Sequence, residues 1–278
     1  MLAMACGIAR RVVLTNIRKV IGLNRVRFIG SGGAPISPEL LRWFMALGLD
    51  VGEGYGMTES TAVIAFTPPR SARIGTVGPP VPWSEVKLSE QGEILARGEH
   101  VFMGYLNQPE KTAETIIDGW LHTGDVGAFD EAGYLRIIDR IKDIIITAGG
   151  KNITPSEIEN EIKSSPYITD AVVIGDRREY LTCLVMIDYD NVVQFAQEQD
   201  IPFTDFCSLC RAREVQDLIQ LAINRVNQQF ARVEQLKKFR LIEVQLTAED
   251  EELTPTMKLK RKLVNEKYQE LIEEMYRH

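Results

Sequence analysis

The chain has 278 residues, 45% of them hydrophobic, enough for one large folded domain or two ordinary ones. Its 32 lysines and arginines stand against 39 aspartates and glutamates, a formal charge of −7 that does not suggest general nucleic-acid binding, which needs a basic face. Four cysteines, at 6, 183, 207 and 210, are too few and too irregular for a disulfide scaffold, and with no signal-peptide pattern and no apolar run of about 20 residues the expected location is the cytoplasm, any membrane association being peripheral.

From Gly7 to Ile21, the residues Ile8, Val12, Val13, Ile17, Val20 and Ile21 recur at helical spacing and predict an amphipathic helix. Its basic residues Arg10, Arg11, Arg18 and Lys19, with Arg25 and Arg27, suit a solvated face better than an anionic membrane surface. Val26 to Ile29 reads as a strand, and Ser37-Pro38 supplies the N-cap and first-turn proline of a helix reaching about Leu47. After Leu49-Asp50-Val51 the chain is expected to enter a glycine-dense loop, and the Gly/Pro-rich stretch from Thr67 to Trp83 marks a subdomain change. Between Glu85 and Ile138 short alternating segments, punctuated by Gln91-Gly92, Asp118-Gly119 and Ala132-Gly133, predict a small antiparallel sheet or barrel, with one helix from about Pro109.

The texture changes at the charged linker Asp139-Arg140-Ile141-Lys142-Asp143. Beyond it, Ile144-Ile145-Ile146 reads as a buried strand, Thr154-Pro155-Ser156-Glu157 as a capping box, and Ala171 to Ile174 and Thr182 to Ile187 as further strands. A long helix carries Val215, Leu218, Ile219, Ala222, Val226, Phe230 and Val233 on one stripe. A strand near Phe239 to Val244 and a last helix with Leu259, Leu263, Tyr268, Leu271 and Met275 complete a separate α/β domain.

Three glycine clusters invite a nucleotide reading: Gly30-Ser31-Gly32-Gly33-Ala34-Pro35, Gly52-Glu53-Gly54-Tyr55-Gly56-Met57-Thr58-Glu59 and Gly149-Gly150-Lys151. The dinucleotide fingerprint fails at Pro35 and Met57, and the Walker loop fails at Ile145 and Asn152. In the second cluster Gly54 and Gly56 permit close backbone approach, Tyr55 offers a flat face, Thr58 a hydroxyl and Glu59 a hard oxygen ligand. Those groups suit an adenine, a phosphate and a magnesium ion, and the residues alone leave a structural loop equally open. Cys207 and Cys210 have the spacing of a redox pair or half a zinc site, yet no second pair or nearby histidine completes one. His100, His122 and His278 are scattered, and His122 reads as structural.

Six motifs in order resemble the adenylate-forming acyl-CoA synthetases: Ser31 to Ile36, Gly54 to Ser60, Gly119 to Asp125, Asp139 to Asp143, Gly149 to Pro155 and Leu253 to Lys258. The resemblance covers the whole chain, and Thr-Pro-Thr-x-Lys-Leu-Lys with Asp-Arg-Ile-Lys looks most like the long-chain fatty acid CoA ligase branch. It implies an α/β fold in which residues 1–139 are the C-terminal part of the large AMP-binding domain, 1–70 an α/β remnant and 71–139 a β-barrel-like subdomain. Residues 140–142 are then a hinge and 143–278 a mobile α+β C-terminal domain.

The resemblance also implies roles. Tyr55 stacks on adenine, Gly32, Gly33 and Ala34 line the adenine and acyl pocket beside Gly56, Thr58 bonds the α-phosphate and Glu59 holds Mg2+. Asp125 accepts both ribose hydroxyls with Arg140 nearby, a bidentate task suited to a carboxylate. Lys142 is the hinge residue, Lys258 serves adenylate formation and Gly149 lines the channel for coenzyme A. Without the resemblance Asp125 reads as a turn residue, and Lys258 as a solvated charge beside Lys260-Arg261-Lys262. The implied partners are a fatty acid, ATP (held as acyl-adenylate after the first step and released as AMP after the second) and CoA. The family's upstream Ser/Thr/Gly-rich loop ending in Pro-Lys, which grips the β- and γ-phosphates, does not occur in these 278 residues. The chain is therefore expected to be a fragment of such a ligase, its remainder either lost by truncation or gene fragmentation or supplied by another chain as a separate N-terminal half. The alternatives are an inactive adenylate- or CoA-binding or interaction fragment, or a ligase for another carboxylic acid.

Overall fold

The computed structural model describes residues 13–247, 249–254 and 259–277. Cys6, the start of the first predicted helix and Lys258 lie outside them. The chain divides into two compact units, Met1–Lys142 and Asp143–His278.

In the first unit, the described part of the opening helix is α1 (Thr15–Val20). The strand expected at Val26 to Ile29 lies three residues later, as β1 (Ile29–Gly32), because its register runs Ile29 opposite Val51 through Gly32 opposite Gly54. Helix α2 (Pro38–Ala46) starts where Ser-Pro predicts: the Ser37 hydroxyl accepts from the Leu40 N–H at 3.1 Å, and Pro38 begins the first turn.

The expected glycine loop is largely a strand. Strand β2 (Val51–Tyr55) pairs parallel with β1 and antiparallel with β3 (Ala65–Phe66). A Cβ at Gly52 would lie 2.7 Å from the Phe28 ring, and one at Gly54 2.9 Å from the Phe66 ring. The glycines thus make room for Phe28 and Phe66, which meet edge to face with centroids 5.6 Å apart over this strand.

The remaining strands of this unit are β4 (Glu85–Leu88), β5 (Glu93–Arg97), β6 (Ile116–Ile117), β7 (Trp120–Phe129) and β8 (Leu135–Arg140), with helix α3 (Pro109–Thr115) inserted before β6. They form one antiparallel sheet in the order β4-β5-β7, with β6 and then β8 on the far edge of β7. Among the described residues no pairing closes it into a barrel. Asp118 and Gly119, both at positive φ (51° and 78°), form the two-residue turn between Ile117 and Trp120, the conformation Asp-Gly favours in tight hairpins. Buried Ile64, Ala65, Ile94, Ala96, Leu121 and Leu135 pack around Tyr55 and join this sheet to the smaller one.

In the second unit, only Ile145 and Ile146 of the predicted isoleucine strand form β9, which pairs with β10 (Asn152–Ile153) across a tight turn that ends the ladder; Ile146 is exposed. Helix α4 (Pro155–Ile162) has Pro155 in its first turn, but the Thr154 side chain accepts no capping hydrogen bond, so the predicted capping box is not made. Strands β11 (Ile168–Ile174), β12 (Leu181–Ile187) and β13 (Leu236–Leu241) form the central sheet, antiparallel between the first two and parallel between the last two.

The parallel crossover carries α5 (Tyr189–Glu198), α6 (Phe206–Arg211) and α7 (Arg213–Asn227). Val215, Ile219, Ile223 and Val226 of α7 are buried, but the helix stops at Asn227, whose side chain bonds both the N–H and the C=O of Leu236 at 2.9 Å. Phe230 therefore packs on the core from beyond the helix, and Val233 and Val244 are exposed. The predicted last helix is two, α8 (Arg261–Lys267) and α9 (Gln269–Tyr276), broken at Tyr268. Their Val264, Ile272 and Met275 cluster with Val172 and Leu184, while Ala171, Cys183 and Val185 meet the cluster of α4 and α7. Every residue of β12 is buried between these layers, hence its apolar run from Cys183 to Ile187. No helix of the described residues is long and apolar enough to cross a membrane.

Candidate functional site

Burial alternates along β7, so that Leu121, Thr123, Asp125 and Gly127 are buried together. Asp125 thus places a carboxylate on a buried face, where it must be hydrogen-bonded. The Tyr55 hydroxyl donates to its Oδ2 at 2.7 Å, and Nε of Arg140, its cross-strand partner on β8, lies 3.3 Å from Oδ1. Burial pushes the Asp125 carboxyl above the usual carboxylate range, and the Tyr55 hydrogen bond and the Arg140 charge pull it back. Burial and then the Asp125 charge push the Tyr55 phenol well up, so it remains a donor.

A distorted ladder aims this carboxylate. The β5–β7 register slips between Glu93 and Leu95, and the β7–β8 register between Val126 and Gly127. Glu93 straps the irregularity: its Oε1 accepts from the Gly124 N–H at 2.9 Å, and its Oε2 lies 2.9 Å from His122 Nδ1. Gly124 sits at φ 73°, and the Thr123 hydroxyl donates to the Ile94 carbonyl at 2.7 Å. Glu93 is a positioning residue that motif reasoning missed; its place after Gln91-Gly92 was the available signal.

Beyond Tyr55 the chain makes a single 3-10 turn, Thr58–Ser60, closed when the Met57 N–H donates to the Ser60 hydroxyl at 3.0 Å. A Cβ on Gly56 would lie 2.1 Å from the Ala62 carbonyl oxygen, so this glycine lets the returning chain pass. The close approaches at Gly54 and Gly56 are met by the protein's own Phe66 and Ala62. Thr58 is exposed and Glu59 half-buried, with the Tyr105 hydroxyl donating to Glu59 Oε1 at 2.6 Å. Gly32, Gly33 and Ala34 leave β1 at the end where the parallel β2 delivers Tyr55 and Gly56, and in open α/β sheets ligands bind beyond the carboxyl ends of strands.

The structure thus brings Tyr55, Asp125 and Arg140 into contact and sets Thr58 and Glu59 on the turn that follows. Lys142 is the last residue of the first unit, and Gly149 belongs to the second, between β9 and β10. Gly150 takes the left-handed position there (φ 73°), whereas the nearest atom to a Cβ on Gly149 would be Thr147 Oγ1 at 3.9 Å. The fold around Gly149 does not itself require glycine.

Lys258 lies outside the described residues, but its flanks are tied. Leu253 and Leu259 form a β-bridge, the Leu259 N–H donates to Asp170 Oδ2 at 3.0 Å, and Arg261 pairs with Glu159 at 2.6 Å. Among the described residues no group of three or more His, Cys, Asp or Glu could hold a metal ion. The Cys207 thiol donates to Glu243 at 3.3 Å and Cys210 is buried in the core.

A family model for AMP-binding enzymes matches residues 8–106, and one for the AMP-binding enzyme C-terminal domain matches residues 142–278. The chain belongs to the AMP-binding enzyme family. Among similar relatives, the long-chain-fatty-acid–CoA ligase FadD15 of Mycobacterium bovis is 39% identical over 269 residues, covering 96% of this chain and 44% of the relative. The long-chain-fatty-acid–CoA ligase ACSBG2 of Gallus gallus is 35% identical over 293 residues, covering 97% of this chain and 38% of its own. The chain spans less than half the length of these relatives.

Two solved structures share the fold. The adenylation domain of a carboxylate reductase from Mycobacterium chelonae has a TM-score of 0.75 at 27% identity, covering 97% of this chain and 41% of that one. The O-succinylbenzoate coenzyme A synthetase of Bacillus subtilis, solved with ATP and a magnesium ion, has a TM-score of 0.63 at 26% identity, covering 85% and 46%. The candidate site residues of this chain fall on both matched segments and on the β7–β8 hairpin between them, which holds Asp125 and Arg140.

Proposed function

We propose that this chain supplies the adenylate-handling and thioester-forming part of a long-chain fatty acid CoA ligase. In the first step a fatty carboxylate attacks the α-phosphate of ATP, giving acyl-adenylate and pyrophosphate. In the second the CoA thiol attacks the acyl carbon, AMP departs, and the thiol proton is released. The observation that carries the reading is the buried Asp125 carboxylate, held on β7, between β5 and β8, by Tyr55 and Arg140. A carboxylate so oriented can accept from two vicinal ribose hydroxyls.

The Tyr55 ring then stacks against adenine, Gly32, Gly33 and Ala34 line the adenine and acyl groups beside Gly56, and the exposed Thr58 hydroxyl donates to the α-phosphate. Glu59 fits a magnesium ligand: one carboxylate oxygen is engaged by a neutral hydroxyl, and no ion pair neutralises it among the described residues. When bound there, Mg2+ would neutralise triphosphate charge. Lys258 is proposed to stabilise charge gathering at the α-phosphate in the first step. Gly149, whose own turn tolerates a side chain, is proposed to be glycine so that the pantetheine arm can pass. Lys142, where the units meet in sequence, is the proposed hinge between the two half-reactions, so that 1–139 and 143–278 would move as bodies.

The purified chain should be given a fatty acid, ATP, Mg2+ and CoA, and separately preformed acyl-adenylate and CoA, each with and without the N-terminal half of a complete relative. Thioester formation supports the reading, with Lys258→Ala removing adenylate formation and sparing the thioester step. Turnover in neither reaction under any condition removes it. That result would favour a second reading, an adenylate- or CoA-binding fragment without catalysis, which the coverage of less than half of each relative motivates.

A further inference from the structure

Residues 102–105, between β5 and α3, reach back to the turn that carries Glu59 and hold it twice. The Phe102 N–H donates to the Glu59 carbonyl at 2.8 Å, and the Tyr105 hydroxyl donates to Glu59 Oε1 at 2.6 Å, within the range of a charge-assisted bond. The phenol is itself fixed on several sides. The Phe102 ring meets it edge-on at 4.9 Å, Lys111 Nζ lies 4.2 Å from its ring centre, and its backbone N–H donates to the Thr112 hydroxyl at 2.9 Å. Thr112 passes that bond on to the Gln108 carbonyl at 2.9 Å, and a Cβ at Gly104 would come within 2.6 Å of the Thr112 side chain, so the segment is closed against α3. A hydroxyl held this firmly costs little further ordering when it orients a carboxylate.

From this geometry we propose that Tyr105 is a positioning residue for divalent-cation binding: it fixes one oxygen of Glu59 so that the other is presented to the metal of a metal–nucleotide substrate. The proposal rests on the reading of Glu59 as a magnesium ligand. Tyr105 touches neither metal nor nucleotide and acts through Glu59. A neutral donor suits the task, because it orients the carboxylate while leaving its charge for the cation, which a lysine or arginine in its place would neutralise.

The test is manganese binding to the purified chain with ATP, read as the loss of the free Mn2+ electron paramagnetic resonance signal beyond that caused by the same ATP without protein, for wild type, Tyr105→Phe, Glu59→Gln and the double variant. The Phe variant keeps the ring contacts, and circular dichroism checks its fold. The expected result is about 10- to 100-fold weaker manganese binding for Tyr105→Phe, the usual range for an outer partner of a metal ligand, and at least as large a loss for Glu59→Gln. The double variant should be no weaker than Glu59→Gln alone, since Tyr105 acts only through that carboxylate. Wild-type affinity in Tyr105→Phe beside a loss in Glu59→Gln overturns the positioning role and leaves the Glu59 reading standing, and additive losses overturn it too. Undiminished binding in Glu59→Gln, or no ATP-dependent manganese binding by wild type, overturns the Glu59 reading and the proposal with it.

Discussion

Arg261 follows the Lys258 segment and is the centre of a mostly buried ion-pair group. Its guanidinium donates to Glu159 Oε1 and to the Val173 carbonyl, both at 2.6 Å, and lies 3.6 Å from Asp143, the first residue of the second unit. The side chains of Arg261 and Glu159 are 20% and 11% exposed, so replacing Arg261 with Met strands a buried carboxylate whose remaining donor is the Val173 N–H at 2.7 Å. Removing one partner of a buried pair costs about 3–5 kcal/mol, and the more exposed Asp143 contact adds little. For a unit of this size that corresponds to a fall of roughly 10–15 °C in the melting midpoint.

The deficit should depend on pH. Burial holds the Glu159 carboxyl above its ordinary range and Arg261 is the largest opposing influence, so its loss raises that carboxyl further. A carboxyl raised on folding contributes stability that is full below its unfolded value and lost as pH rises through the folded one. The difference between wild type and Arg261→Met should therefore be larger near pH 8 than near pH 5. Far-UV circular dichroism melts measure it, and fluorescence of Trp43, Trp83 and Trp120, all in the first unit, reports the other unit separately. Replacing Glu159 with Leu in the same variant should recover much of the loss. A loss below about 1 kcal/mol at neutral pH, or a double variant as unstable as the single one, would refute the argument.

Tyr55→Phe leaves Asp125 without its 2.7 Å donor and should cost about 1.5–3 kcal/mol in denaturant unfolding, with weaker AMP binding by calorimetry; unchanged stability contradicts the buried-carboxylate account. Burial under α2 pushes the Glu53 carboxyl up to about 7, so its contribution is full in acid and lost as pH rises through that value. Glu53→Gln should raise the first unit's midpoint at about pH 8 and change it little at about pH 5, measured by tryptophan fluorescence melts. Gly56→Ala collides with the Ala62 carbonyl and should destabilise the turn carrying Thr58 and Glu59, whereas Gly149→Ala makes only an ordinary contact with Thr147 and should melt like wild type. A destabilised Gly149→Ala would count against a glycine kept for ligand passage.

What local chemistry controls was legible from residue order. Ser37-Pro38 starts α2, Asp118-Gly119 makes the two-residue turn into β7, and the apolar run of β12 is a doubly covered strand. The six ordered motifs likewise pointed to the family, through their resemblance to it in order and spacing. Where contacts distant in sequence decide, local reading fell short. Gly52 and Gly54 look like a loop until Phe28 and Phe66 are seen to need the space, and the last helix breaks at Tyr268 although its stripe continues.

The candidate site follows the same division. The sequence by itself determined its ingredients, the Tyr55 ring, the Glu59 and Asp125 carboxylates and the Arg140 guanidinium, since these are properties of side chains. Only the tertiary structure decided which of them meet: Tyr55 reaches across 70 residues to Asp125, Glu93 straps the slipped ladder at Gly124, and Tyr105 takes hold of Glu59. Such pairings depend on the register of a sheet and the path of a loop, and no local pattern encodes either.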